Sequence, residues 1–302
     1  MTEADWIAAL RTLPLHPGAR GLADDAALVD AGALVVTTDT LVEGVHFLPA
    51  DPPADVAWKL VATNLSDLAA KGALVEGVLL NYPLGDDGWD RAFLAGLGEA
   101  LVRWRARLIG GDTVSLPAGA PRVLTLTALG SDAAAPSRTG GEAGDILWVT
   151  GAIGDAGAGL AIARGAEGPV ELLAAYRRPT PRLVEGRTLA PLVHAMADVS
   201  DGLLIDAARM AAASGLAARI DLAAVPLSPA YRAFAGDDRA ARLAAATAGD
   251  DYQLLFALPK GIEPPVPATA VGALLPGAGL TLTDAGGPVP LPPRLGFEHR
   301  AS

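Results

Sequence analysis

Residues 33–71 read ALVVTTDTLVEGVHFLPADPPADVAWKLVATNLSDLAAK, and this stretch sets the fold class. Its first six residues (33–38, ALVVTT) form a continuous aliphatic and β-branched run, as a buried strand requires. From residue 54 to 71 the period changes, with Ala57, Leu60, Val61, Leu65 and Leu68 at helical spacing. A strand followed by an amphipathic helix is the elementary piece of an α/β layer, and the flanking sequence repeats it. Residues 76–82 read as a strand, 89–105 as a helix, 107–110 as a strand end and 122–130 as a long alternating strand. After the polar, turn-rich linker candidate 131–144 (SDAAAPSRTGGEAG) a second series begins. It holds a strand at 145–150, a glycine-rich turn at 151–159 opening a helix, and two or three helices through residue 192. A short strand at 195–199, a helix at 201–213 and strands at 216–222 and 252–258 follow, with short strands in the Pro/Gly-rich 264–293.

Aspartates stand at the ends of these apolar runs. Five places recur: Asp24-Asp25, Thr37-Thr38-Asp39-Thr40, Asn64-Leu65-Ser66-Asp67, Gly110-Gly111-Asp112-Thr113 and Asp198-Val199-Ser200-Asp201, with Gly249-Asp250-Asp251-Tyr252 a weaker sixth. Magnesium suits them, because it takes oxygen ligands, commonly one or two carboxylates, and fills its shell with water and substrate phosphate. Asp39 and Asp112 are expected at strand ends, where open α/β sheets place ligands. Asn64 and Asp67, three residues apart, share a helix face. Ser200 or Asp201 is expected to cap the following helix, whose free N–H groups favour anions. The bland readings are a turn aspartate, a satisfied hydrogen bond at the core edge and an ordinary cap. The Gly151–Gly157 segment is a weak phosphate-loop signal and more often a plain βα turn. A lone histidine such as His46 is more often structural, but its loop lies near Asp39 and favours substrate contact. Arg138, in the linker, could neutralise phosphate; most such arginines are merely solvated.

Composition removes whole classes. The 302 residues carry 23 Lys+Arg against 34 Asp+Glu, a net charge of −11, with no basic cluster, so nucleic acid is not expected as a partner. There is no cysteine, which excludes disulfides, thiolate metal sites and cysteine nucleophiles. The first ten residues lack a basic segment followed by an apolar one, and no apolar stretch of about 18 residues occurs, so a cytoplasmic protein without membrane contact is expected. No Gly-Lys pair and no G-x-G-x-x-G exists, so neither a P-loop nor a Rossmann glycine fingerprint is present. A nucleotide must then be held through cations: a carboxylate and a phosphate oxygen 4 Å apart repel by roughly 4 kcal/mol at an effective dielectric of 20.

Eight strings, in order, resemble the motifs of the thiamine-monophosphate kinase family: GLADDAAL (21–28), TTDTLVEGVHF (37–47), NLSDLAAKGA (64–73), IGGDTV (109–114), VTGAIGDAGAGL (149–160), RRPTPRL (177–183), DVSDGLLID (198–206) and AGDDYQLLF (248–256). The resemblance implies an α/β (α+β) chain with the two-domain fold of aminoimidazole ribonucleotide synthetase. Its amino-terminal domain (1–134) is a mixed sheet with helices that binds ATP and Mg²⁺ and joins two chains into a homodimer through the sheets. Its carboxy-terminal α/β domain (135–302) completes the ATP and substrate site. Carried over by position, Asp25, Thr37, Thr38, Asp39, Asp67, Asp112, Asp198 and Asp201 are implied metal ligands for several Mg²⁺ ions, with room for a monovalent cation. Gly111, Asp112, Arg138 and Ser200 are implied ATP contacts, and His46, Asp250 and Phe297 substrate contacts. The chain departs from the family at Ala23 for glycine, Lys71 for methionine and Asp250 for glutamate, and Phe297 is an aromatic without a hydroxyl.

The implied reaction is direct in-line transfer of the γ-phosphoryl group of ATP to thiamine monophosphate, giving thiamine diphosphate with no side chain as general base. Rivals are other enzymes of the superfamily and a binding module without turnover. Those relatives that depend on cysteine chemistry are excluded by composition.

Overall fold

The computed structural model describes residues 3–22, 29, 32–131 and 133–299, apart from the side chains of residues 3, 4, 18, 20 and 21. The chain divides into two compact units, residues 1–68 with 73–133, and residues 69–72 with 134–302. Asp24 and Asp25 lie outside the described residues.

In the first unit α1 (Glu3–Leu10) precedes β1 (Val35–Val42), α2 (Pro53–Ala69), β2 (Leu74–Leu84), α3 (Asp87–Trp104), β3 (Leu108–Ser115) and β4 (Val123–Ser131). The sheet order is β1-β4-β2-β3. Pairs β1/β4 and β4/β2 are antiparallel, whereas β2/β3 is parallel, as the α3 crossover between them requires. Helix α3 starts where Asp86 accepts the Trp89 N–H at 2.9 Å, and it ends at Arg105 in the left-handed region (φ 54°). The β1/β4 register pairs Thr37 with Ala128, Asp39 with Leu126 and Leu41 with Leu124, so these β1 side chains share the face of three buried apolar residues. Helix α3 packs on that face, where Tyr82 lies against Phe93 with its ring tilted by 43° and donates its hydroxyl to the buried Asp90 at 2.7 Å. The other face carries Val36, Thr38 and Thr40 from β1, all exposed.

Strand β1 therefore runs three residues past Asp39, and β3 three past Asp112. Neither aspartate ends its strand, contrary to the sequence expectation. Leu41 extends β1 because burying it on the inner face rewards one more turn of the pleat. Thr113 to Ser115 extend β3 because β2 offers them a parallel ladder to Leu84.

The second unit holds β5 (Ile146–Thr150), α4 (Asp155–Ala163), α5 (Val170–Arg177), α6 (Leu183–Leu189), β6 (Ala195–Asp198), α7 (Leu203–Ala213), β7 (Ala217–Asp221), α8 (Pro229–Ala235), α9 (Arg239–Thr247), β8 (Leu254–Leu258), β9 (Ala268–Leu275), β10 (Gly279–Asp284) and β11 (Gly287–Val289). The seven strands form one sheet in the order β11-β10-β7-β9-β5-β8-β6. β8, buried at every position, lies between β5 and β6, and this explains its unbroken LLFAL. Helices α8 and α9 were not expected from periodicity. Ser228 with Pro229, and Asp238, cap their starts.

Candidate active site

In the first unit, helix α2 and strand β1 build one group of candidate residues. Asn64 is fully buried; its Oδ1 accepts the Asp39 N–H at 3.0 Å, and its Nδ2 donates to the Leu60 carbonyl at 2.9 Å. Three residues on, Asp67 accepts a hydrogen bond from the Thr37 hydroxyl. One turn of helix thus fixes both the backbone and a side chain of the inward face of β1 at Thr37 and Asp39.

Thr38 points the other way. It pairs with Thr127 (3.1 Å), and next to it Thr40 meets Thr125 (2.8 Å). Asp112 belongs to this open face, since the register aligns it with Asn81, Thr125 and Thr40. It sits on the far edge strand, three strands from β1, or about 14 Å at the usual spacing. Its Oδ1 accepts the Thr113 N–H at 2.9 Å. Gly111 before it admits no side chain: a Cβ there would lie 1.8 Å from the Leu80 carbonyl oxygen. Within one chain, then, Thr37, Asp39 and Asp67 come together, and Asp112 does not join them.

His46 occupies the turn after β1. Its Nδ1 accepts the Val42 N–H at 2.9 Å, and its carbonyl accepts from Nζ of Lys59 at 3.0 Å.

In the second unit two chain segments and the tail are tied together by main-chain bonds. The Val199 and Ser200 carbonyls accept from Tyr252 N and Asp250 N (both 2.8 Å), and the Asp201 carbonyl accepts from Phe297 N (2.9 Å). Asp198, Ser200, Asp201, Asp250 and Phe297 are therefore neighbours, although up to 99 residues separate them in sequence. Asp250 (φ 68°) and Tyr252 (φ 50°) both adopt the left-handed backbone, and the Tyr252 hydroxyl donates to Asp250 at 3.0 Å. Two such non-glycine residues in three mark a strained segment, a common property of ligand-contacting loops.

Sequence reading missed Asp206 and Arg209. Gly202, not Ser200 or Asp201, precedes α7, and no side chain caps it. Instead the Asp201 N–H donates to the Asp206 carboxylate at 3.1 Å, while Arg209 bonds both Asp201 and Asp206. Burial pushes the Asp206 carboxyl up to about 6. Arg138 lies close enough to act on that charge, so the linker arginine joins the same group. A carboxylate inside the apolar run LLIDAARM was the available signal for Asp206. Asp251, named with the weaker sixth place but given no role there, accepts the N–H groups of Gly154 (2.8 Å) and Ala156 (3.4 Å) at the start of α4, and burial raises its pKa well above the ordinary value.

The donors in both units are oxygens, the set a hard divalent cation takes. Among the described residues no three His, Asp or Glu side chains form a metal cluster. Each group by itself fits a cation that draws one or two carboxylates from protein and the rest from substrate phosphate and water.

Comparison with known proteins identifies the family. The family description "AIR synthase related protein, N-terminal domain" matches residues 23–131, and "AIR synthase related protein, C-terminal domain" matches residues 142–261. The thiamine-monophosphate kinase of Salmonella typhimurium is 40% identical over 253 residues, 80% of this chain and 76% of that protein. The crystal structure of thiamine-monophosphate kinase from Stenotrophomonas maltophilia superposes with a TM-score of 0.78 at 36% identity, covering 86% of this chain and 89% of that one. The structure of AaThiL complexed with AMPPCP and TMP superposes with a TM-score of 0.77 at 30% identity, covering 86% and 87%. The chain is an AIR synthase-related protein and belongs to the thiamine-monophosphate kinase family.

Proposed function

We propose that the protein transfers the γ-phosphoryl group of ATP to thiamine monophosphate, releasing thiamine diphosphate and ADP. The observation that carries this reading is the likeness to AaThiL, solved with a non-hydrolysable ATP analogue and TMP, across most of both chains. The attacking oxygen belongs to a phosphomonoester whose second pKa is near 6, so it is already anionic at neutral pH and needs no general base. It forms the new P–O bond to the γ-phosphorus as the bond from that phosphorus to the β–γ bridging oxygen breaks, and the bridging oxygen leaves as part of ADP. A site of carboxylates and hydroxyls with no activated nucleophile suits this division of labour, in which positioning and charge neutralisation do the catalysis.

Thr37, Thr38, Asp39, Asp67 and Asp112 of the first unit and Asp198 and Asp201 of the second are the residues proposed to hold Mg²⁺, with Asp25 added by resemblance. Bound there, the ions neutralise the phosphates. Gly111, Asp112, Arg138 and Ser200 supply the proposed contacts to the nucleotide. His46, Asp250 and Phe297 orient the acceptor. A homodimer through the open sheet face is part of the proposal. Exposed Val36, Thr38 and Thr40 offer such a face, and Asp112 stands on it, far from the Asp39 of its own chain. Sedimentation velocity reads that state.

Incubation with MgATP and either thiamine monophosphate or unphosphorylated thiamine tests the reaction. Thiamine diphosphate with stoichiometric ADP, from the monophosphate alone, is expected. ATP binding without ADP formation from either acceptor would overturn it.

A further inference from the structure

Lys59 lies in the middle of α2 with 2% of its surface exposed, and the proposed transfer does not use it. An ammonium withdrawn from water carries a heavy desolvation penalty unless hydrogen bonds replace its hydration. One of those bonds runs from Nζ to the carbonyl oxygen of His46 at 3.0 Å. That carbonyl belongs to a tightly folded turn: His46 N and Val45 N donate to the Val42 carbonyl (2.9 and 3.0 Å), and Gly44 N donates to Phe47 (2.8 Å). The ring is held as well, since Nδ1 accepts the Val42 N–H. A ring nitrogen that accepts a backbone N–H carries no proton, so neutral His46 keeps its proton on Nε2.

Helix α2 therefore acts on β1 and its turn at three points. Asp67 holds the Thr37 hydroxyl, Asn64 holds the Asp39 N–H, and Lys59, two turns before Asp67, holds the His46 carbonyl. An apolar side chain of the same length would fill the space around Lys59 without the desolvation. The charge gains its place only through what its head group bonds.

We infer that Lys59 is a positioning residue, which fixes the His46 turn so that the imidazole meets the phosphorylated acceptor in one orientation. The inference rests on the proposed contact between His46 and thiamine monophosphate. Lys59→Met keeps the shape and removes the donor; Lys59→Gln keeps a shorter donor. The measurements are kcat, separate KM values for ATP and thiamine monophosphate, and the imidazole ¹⁵N shifts of His46, with His46→Ala as control.

In Lys59→Met the KM for thiamine monophosphate should rise roughly tenfold, the loss of one hydrogen bond to a charged group, with the KM for ATP unchanged. The His46 ring nitrogens should lose their fixed proton pattern, Lys59→Gln should recover part of both effects, and Lys59→Met should add nothing in the His46→Ala background. A purely structural lysine would lower the melting temperature and move both KM values together. Unchanged KM and ring shifts in Lys59→Met, with His46→Ala impaired, overturn the role of Lys59. Unchanged KM in an active His46→Ala enzyme overturns the contact itself and the role of Lys59 with it. Should Lys59→Met not fold, the ring shifts and KM of Lys59→Gln decide on the same criteria.

Discussion

Asp251 carries a carboxylate where charge is disfavoured. Its surroundings are two backbone N–H groups at the start of α4 and little water, and burial outweighs those hydrogen bonds in setting its pKa. Because the folded-state value lies above the ordinary 3.8, the folded chain binds this proton more tightly than the unfolded chain. The stabilisation is complete below the unfolded pKa and is lost as pH rises through the folded one. Asp251→Asn is neutral throughout and escapes that loss. The difference in melting temperature, variant minus wild type, should therefore grow from pH 4 to pH 8. A difference that is flat or falls would show that the carboxylate is already ionised and stabilising in the folded state.

Helices α4 and α5 approach so closely that a Cβ on Gly159 would lie 1.9 Å from the Leu172 carbonyl oxygen. Two effects oppose each other in Gly159→Ala. Helix propensity favours alanine by about 1 kcal/mol. Overpacking against a backbone atom that cannot rotate away costs about 1–3 kcal/mol, and more when a helix must shift bodily. Packing wins, so urea unfolding should show a net loss of about 1–2 kcal/mol, and a gain would mean the two helices separate freely. Legibility at this scale followed the size of the buried side chains. α2 and β1 were readable because Leu60, Val61, Leu65 and the ALVVTT run mark their periods with large residues. α9 buries Ala241, Ala245 and Ala246, whose small side chains give a weak period in RAARLAAAT, so the helix was not expected. The sites followed the same logic. Motif aspartates were legible as residues, whereas their faces were not: Asp39 and Asp112 fall on opposite sides of one sheet because strand register, a long-range property, decides it.

For the whole molecule, the α/β class and the family membership were both readable from ordered short strings. The supporting groups were not, because Asp206, Arg209 and Asp251 act through contacts whose partners sit on other elements or another turn. One feature of the second unit reaches beyond its own contacts. Asp250 stands where the motif resemblance implies glutamate, and its left-handed backbone favours the shorter residue, for short Asp and Asn side chains populate that region far more readily than longer ones. The shorter residue surrenders one methylene of reach toward the proposed substrate contact in exchange for a less strained main chain. Asp250→Glu should run that exchange backwards, lowering stability by about 1 kcal/mol, read as a melting temperature lower by a few degrees, and lowering the KM for thiamine monophosphate. A variant as stable as wild type would mean the segment bears no such load. On this view the position is a dial between durability and grip.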